Sequence, residues 1–122
     1  MRARTLHTDG EQRTVAIVLS TGDEAMACLK AFAEREHVTA AQFTAIGAFA
    51  GATLGYFDWT TKEYRRNAVD EQVEVASLTG ISRSGRTATR RCTSIACLVG
   101  ATGRRWPDIS SRARCGRPSK SF

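Results

Sequence analysis

The sequence predicts an α+β domain over residues 13–81: an antiparallel or mixed sheet with one main helix packed on it. Three observations lead there. A β-branched run, "RTVAIVLS", is bounded by polar residues. A single helical pattern, "TGDEAMACLKAFAEREH", follows it. A glycine-punctuated apolar stretch, "VTAAQFTAIGAFAGATLGYFDW", comes next. At 122 residues the chain makes one domain at most.

Each element has a local cause. Arg13–Ser20 is a strand by its β-branched, apolar content. Thr21 and Glu24 have the T-x-x-E spacing of a capping box, and Asp23 adds negative charge at the positive end of the helix dipole. Ala25, Cys28, Leu29 and Phe32 then recur at helical spacing and predict an apolar face, while Lys30, Glu34 and Arg35 fall largely off it. His37 follows the helix, within reach of its C-terminal dipole. Phe43 and Ile46 end a second strand, Gly47 and Gly51 predict a turn, and Thr53–Trp59 forms a third strand. "TTKEYRRNAVDE" is expected as a polar connection. Gln72–Gly80 alternates Val73, Val75 and Ser77 against Glu74, Ala76 and Leu78, a strand whose two faces the pattern leaves undecided. Residues 1–12 are expected as a flexible N-terminus.

Charge divides the chain unevenly. Residues 1–80 carry eight Lys+Arg against eleven Asp+Glu, a net −3; residues 81–122 carry ten against Asp108 alone, a net +9. After Ile81 the periodicity also fades. "CTSIACLVG" is the one short apolar patch left, and composition predicts a basic, disordered tail over 82–122. Near its end, Gly116-Arg117-Pro118 lies between Arg114 and Lys120, close to an AT-hook core that follows an A·T-rich minor groove. Arg114, Arg117 and Lys120 are therefore the candidate DNA contacts, although Cys115 interrupts the motif's Arg-Gly pair.

Other chemistry has little support in the sequence. Cys92, Cys97 and Cys115 lack C-x-x-C spacing, and His7 and His37 lie far from them, so no metal, cofactor or disulfide framework is expected. Cys28 fits a small core residue. Neither histidine has a nucleophile in a recognisable arrangement, Asp58 and Glu63 fit a solvated edge better than acid–base work, and "GAFAGATLG" lacks the G-K-[ST] of a phosphate loop. No catalytic residue is assigned, and an enzyme is disfavoured. No apolar run is long enough to span a bilayer, and "MRARTLHTDGEQR" has no apolar signal-peptide core, which leads to the expectation of a cytoplasmic protein without a membrane partner.

Taken together, "TGDEAMACLKAFAEREHVTAAQFTAIGAFAGATLGYFDWTTKEY" and "EVASLTG" resemble the PPC family, the plants and prokaryotes conserved domain. Members run "Ge-dl…L..fa.e", then "giGa", "lgyfd…keY" and "E..sl.G". The resemblance covers Arg13–Gly80 and implies a homotrimer that binds DNA. Members continue with "dG.p..H.H..lg" and "GGHL…G", whose histidines hold a metal in some prokaryotic forms. Those histidines are absent here; their places are expected near Cys92–Ile95 and Asp108–Ile109.

The resemblance stops where the composition changes, which suggests a shifted reading frame. If each original codon joins the third base of one residue's codon to the first two of the next, "RCTSI" conceals Val-His-Val-His. "WPDIS" conceals Ala-Gly-His-Leu, starting from the single codon of Trp106. "GRTATRR" can give Ala-Asp-Gly-Asp-Pro-Lys, and "ACLVGATGRRW" can give Val-Leu-Gly-Arg-Arg-Asp-Gly-Thr-Ala-Val. Nearly all the codons needed end in G or C. The shifted frame thus predicts a net one-base loss between about Gly80 and Gly85. On that basis the closing strands are lost to disorder, unpaired sheet edges and a core face lie open, and the chain is expected to be poorly stable, to aggregate, or not to assemble. Three function classes follow: a DNA-binding regulatory protein in impaired form, with the basic tail as an alternative nucleic-acid binder; a metal-dependent small-molecule binder or enzyme in the restored frame only; and a non-functional truncated product.

Overall fold

The computed structural model describes residues 1–84, 90–100 and 105–115. Among them the order is β1 (Arg2–Asp9), β2 (Gln12–Val18), α1 (Ala25–Arg35), β3 (Ala40–Asp58), β4 (Glu63–Val69), β5 (Val73–Ser84), β6 (Arg90–Gly100) and β7 (Arg105–Cys115). Every strand pairing is antiparallel. The α+β class holds, with strands dominant.

β1 and β2 form a separate two-stranded sheet, so a strand occupies the N-terminus that was expected to be flexible. Gly10 makes the tight turn between them at φ 57°, where a Cβ would be strained. Two ion pairs tie this hairpin to the flanks of α1: the Met1 amine with Asp23 at 2.9 Å, and Arg13 with Glu36 at 3.1 Å.

The capping box does not form. Glu24 is itself the N-cap, accepting from the Met26 and Ala27 amides at 3.2 and 2.7 Å. Asp23 instead accepts from the Ser20 amide in the turn before it. At the other end His37 takes a left-handed φ of 51°, and its amide donates to the Glu34 carbonyl. It thus closes the helix through its backbone. The buried face is Ala25, Met26 and Ala33, with Cys28, Leu29 and Phe32 half-buried beside it.

β3 is one strand of 19 residues, where a turn at Gly47–Gly51 was expected. Gly47 lies at a bulge, with the register against β5 shifting between Ala45 and Gly47 and φ at 151°. Gly51 serves close approach: a Cβ there would meet the Val69 carbonyl oxygen at 3.1 Å. β4 occupies the expected polar connection and pairs Ala52–Asp58 of β3.

A bulge also settles the ambiguous faces of β5. Val73, Val75 and Leu78 are all buried, because the register against β6 shifts between Val75 and Ser77 and the alternation changes phase there.

The largest difference lies at the C-terminus. Within the segment expected to be disordered, β6 pairs β5, and β7 pairs both β6 and β3. The sheet therefore closes on itself, and the edges expected to lie open are paired among the described residues. Period-two burial is the physical reason. Ser94, Ala96 and Leu98 point inward from β6, and Ala96 and Leu98 join the core of Phe49, Leu54, Val73, Val75 and Leu78. α1 seats on β6 and β7, with Met26 Sδ 3.5 Å from the Ser94 hydroxyl.

Candidate functional site

Two parts of this sheet bear on function. The first is the β6–β7 pair. Its register sets Ser94 opposite Ser110, Ile95 opposite Ile109 and Ala96 opposite Asp108. Both segments where the histidines were expected therefore lie side by side. Ser94 is wholly buried (0% exposed), a hydroxyl in a row otherwise made of Ala96 and Leu98. Ser82 is buried nearby in sequence register, opposite Cys92, and its hydroxyl has no hydrogen-bond partner. Polar side chains thus occupy inward positions at one end of β5 and β6. Among the described residues no group of three or more His, Cys, Asp or Glu comes together.

Of the candidate DNA contacts, Arg114 lies on β7 opposite Gly51 of β3. Arg117 and Lys120 lie outside the described residues. The grouping of the three therefore lies outside the described residues.

The second part is the β3–β4 hairpin, whose surface the sequence reading missed. Phe57 pairs with Tyr64, and their rings meet edge-on with centroids 5.3 Å apart. Trp59 packs against Phe57 at the same spacing with planes at 88°. Trp59 is 84% exposed and Tyr64 68% exposed. Alternation puts Arg66, opposite Gly55, on the same face. Asp58 and Glu63 pair on the other face, where Asp58 holds Arg65 at 2.9 Å. Asp58 also fixes the turn by accepting from the Thr60 amide at 2.9 Å. Within the "polar connection", the alternation of Tyr64, Arg66 and Ala68 against Glu63, Arg65 and Asn67 was the available signal.

Three groups on α1 and its flanks are electrostatically perturbed. The N-terminal ammonium and the Ser20 amide hold Asp23 below the usual carboxylate range. Arg35 and Arg13 do the same for Glu36. Burial, reinforced by the Asp23 charge, pushes the Cys28 thiol up. These shifts belong to structural pairs rather than to a catalytic cleft.

The sequence matches the Plants and Prokaryotes Conserved (PCC) domain over residues 6–104. The chain belongs to this family. The match extends into β1 and past β6. A metal-containing protein from Archaeoglobus fulgidus is 28% identical, with a TM-score of 0.73 over 80% of this chain and 69% of that one. A candidate DNA-binding protein from Bacteroides thetaiotaomicron is 21% identical, with a TM-score of 0.78 over 93% and 77% of the two chains. A plant- and prokaryote-conserved protein from Pyrococcus horikoshii is also 21% identical, with a TM-score of 0.74 over 80% and 67%. The last two likenesses show the shared PCC fold. Comparison with curated proteins gives no match. Among the described residues no helix is long and apolar enough to cross a membrane.

Proposed function

We propose that this chain is a DNA-binding, cytoplasmic PCC-domain protein in impaired form, its C-terminal third encoded one base out of frame. Family membership and the candidate DNA-binding description of one structural neighbour support the nucleic-acid part, by analogy of fold. The observation that carries the frame part is the β6–β7 register. A one-base loss leaves the codon count unchanged, so each restored codon takes the number of the second residue it overlaps. The histidine hidden in Ser94-Ile95 then falls at position 95 and that in Asp108-Ile109 at position 109, which are direct cross-strand partners. The histidine hidden in Cys92-Thr93 falls at 93, two residues along β6 and on the same face.

Directly opposed residues in an antiparallel pair have Cβ atoms about 4.5–5.5 Å apart, close enough for imidazoles to share an ion. The same frame gives valine at position 94, where a fully buried hydroxyl now sits. A serine there fills less of this core row than valine would, which supports the impaired reading. The metal-containing protein from Archaeoglobus fulgidus favours one further reading, a metal-dependent binder in the restored frame. The homotrimer implied by the resemblance gains support from the β1–β2 hairpin, a two-stranded sheet of its own whose Leu6 and Val18 stay exposed. Two strands alone are marginally stable in water, and a neighbouring copy would cover them.

The test is to resequence the gene around codons 80–85 and to express both frames side by side. The restored chain is expected to bind a transition metal, form trimers and bind duplex DNA with steep salt dependence. The chain as given is expected to lack the metal and to assemble poorly. An unbroken frame encoding this same tail in several relatives would refute the frame part.

A further inference from the structure

We propose that the exposed face of the β3–β4 hairpin is a stacking surface for the bases of a single-stranded nucleic acid. The proposal goes beyond duplex binding by the family and uses residues far from the basic tail. Three rings lie on one face: Phe57 half-buried, with Trp59 and Tyr64 each packed edge-on against it. The outer two are largely exposed, although a ring of that size is ordinarily drawn into a core. Phe57 fixes the neighbouring rings, so a base would meet surfaces already ordered, at little entropic cost.

Charge selects the ligand class. Arg66 follows Tyr64 on the same face, opposite Gly55, which has no side chain to obstruct it. Lys62 sits exposed in the same turn as Trp59. The acids of this hairpin are directed elsewhere, since Asp58 and Glu63 oppose each other on the other face and Asp58 binds Arg65. Rings flanked by cations, with the acids turned away, suit a base stacked on an aromatic and a phosphate held by a guanidinium. A second copy of the chain is the competing occupant, and the oligomeric mass distinguishes it. Duplex DNA keeps its bases stacked on each other and offers the rings nothing to stack on.

Among the described residues two cations are available, Arg66 on the face and Lys62 in its turn, so stacking carries the affinity. Two phosphate contacts on a single strand give a shallow salt slope of about −1.4 in log K against log salt.

The test measures anisotropy of a labelled twelve-nucleotide oligo-dT, and of a duplex of equal length, titrated with the full 122-residue chain. Oligo-dT is expected to bind with that shallow slope, and Trp59→Ala or Tyr64→Ala to weaken it roughly five- to hundredfold. Trp59→Phe is expected to restore most of the loss, and Arg66→Ala to weaken binding and flatten the slope. Trp59 is so exposed that its replacement leaves the fold intact, which circular dichroism checks. The proposal is overturned if oligo-dT does not bind, if Trp59→Ala binds as the parent does, or if the duplex binds better than the single strand. It is also overturned if Trp59→Ala changes the oligomeric mass while binding is kept, which would make the face an interface between copies. Duplex binding that depends on Arg114, Arg117 and Lys120 is read separately, by substituting those three alone.

Discussion

Leu98→Ala separates a folded C-terminal third from a loose one. Leu98 lies in the segment whose composition predicts disorder, yet it is wholly buried (0% exposed) in the core beside Val75, its register partner on β5. Truncating a buried leucine costs about 2–5 kcal/mol, and the cost rises with the cavity left behind. Here β5 and β7 flank β6 on both sides, so the walls cannot close on the gap and the upper half of that range is expected. A domain of this kind has only about 5–15 kcal/mol in total. For a chain of this length each kcal/mol moves the midpoint by about 3–5 °C, so a fall of roughly 10–20 °C follows. Urea titration followed by circular dichroism gives the free energy, with Leu54→Ala, buried on β3, as the positive control. Cys97→Ala, half-buried on the opposite face of β6, should cost under about 1 kcal/mol. If Leu98→Ala melts like the parent while Leu54→Ala falls, β6 is not part of the core and the inference from its burial fails.

Three further outcomes are expected. Ser82→Ala removes a buried hydroxyl that has no hydrogen-bond partner, and should stabilise the chain by about 1 kcal/mol; an unchanged or lower urea midpoint would show that the hydroxyl is satisfied in solution. Asp58→Ala removes both the cap on the Thr60 amide and the partner of Arg65, and should loosen the β3–β4 turn by about 1 kcal/mol, seen as faster amide exchange in 58–63. Glu36, held by Arg35 and Arg13, has its pKa lowered on folding. Its contribution is therefore complete above the unfolded carboxylate value of about 4.3 and is lost as pH falls through the lower folded value. Glu36→Gln should accordingly flatten the acid limb of the stability curve below about pH 5, and identical limbs would remove this ion pair from the acid response.

The sequence made the middle of the fold legible and its two ends opaque. The single helix and the strands at Arg13–Ser20 and Gln72–Gly80 announced themselves through apolar content and period. Gly47 and Gly51 were noticed as special, but glycine serves bulges and close packing as readily as turns, and only the carbonyl of Val69 tells which is in force. The phase of β5 was hidden because a bulge has no residue signature of its own. β7 was hidden for a different reason: its run contains Pro107 and four charged residues, which argue against a strand unless the partners on both sides are known. β1 had no apolar alternation at all, since it is exposed throughout. The aromatic face was missed because its three rings come from two strands and a turn, and only the β3–β4 register gathers them.

Closure of the sheet through β3 also governs the order of events on the ribosome. β4 and β5 pair β3 soon after it is made, since each lies close to it in the chain. β7 joins Phe49 to Cys115 and Gly55 to Ile109, contacts of high sequence separation that form only once residues 109–115 have been made. A nascent chain therefore commits to the β4–β3–β5 pairing before β7 exists, with the seat of α1 still bare. Whatever is encoded after codon 85 meets a scaffold already assembled, and an error there is judged by chaperones and proteases on how well it completes that scaffold.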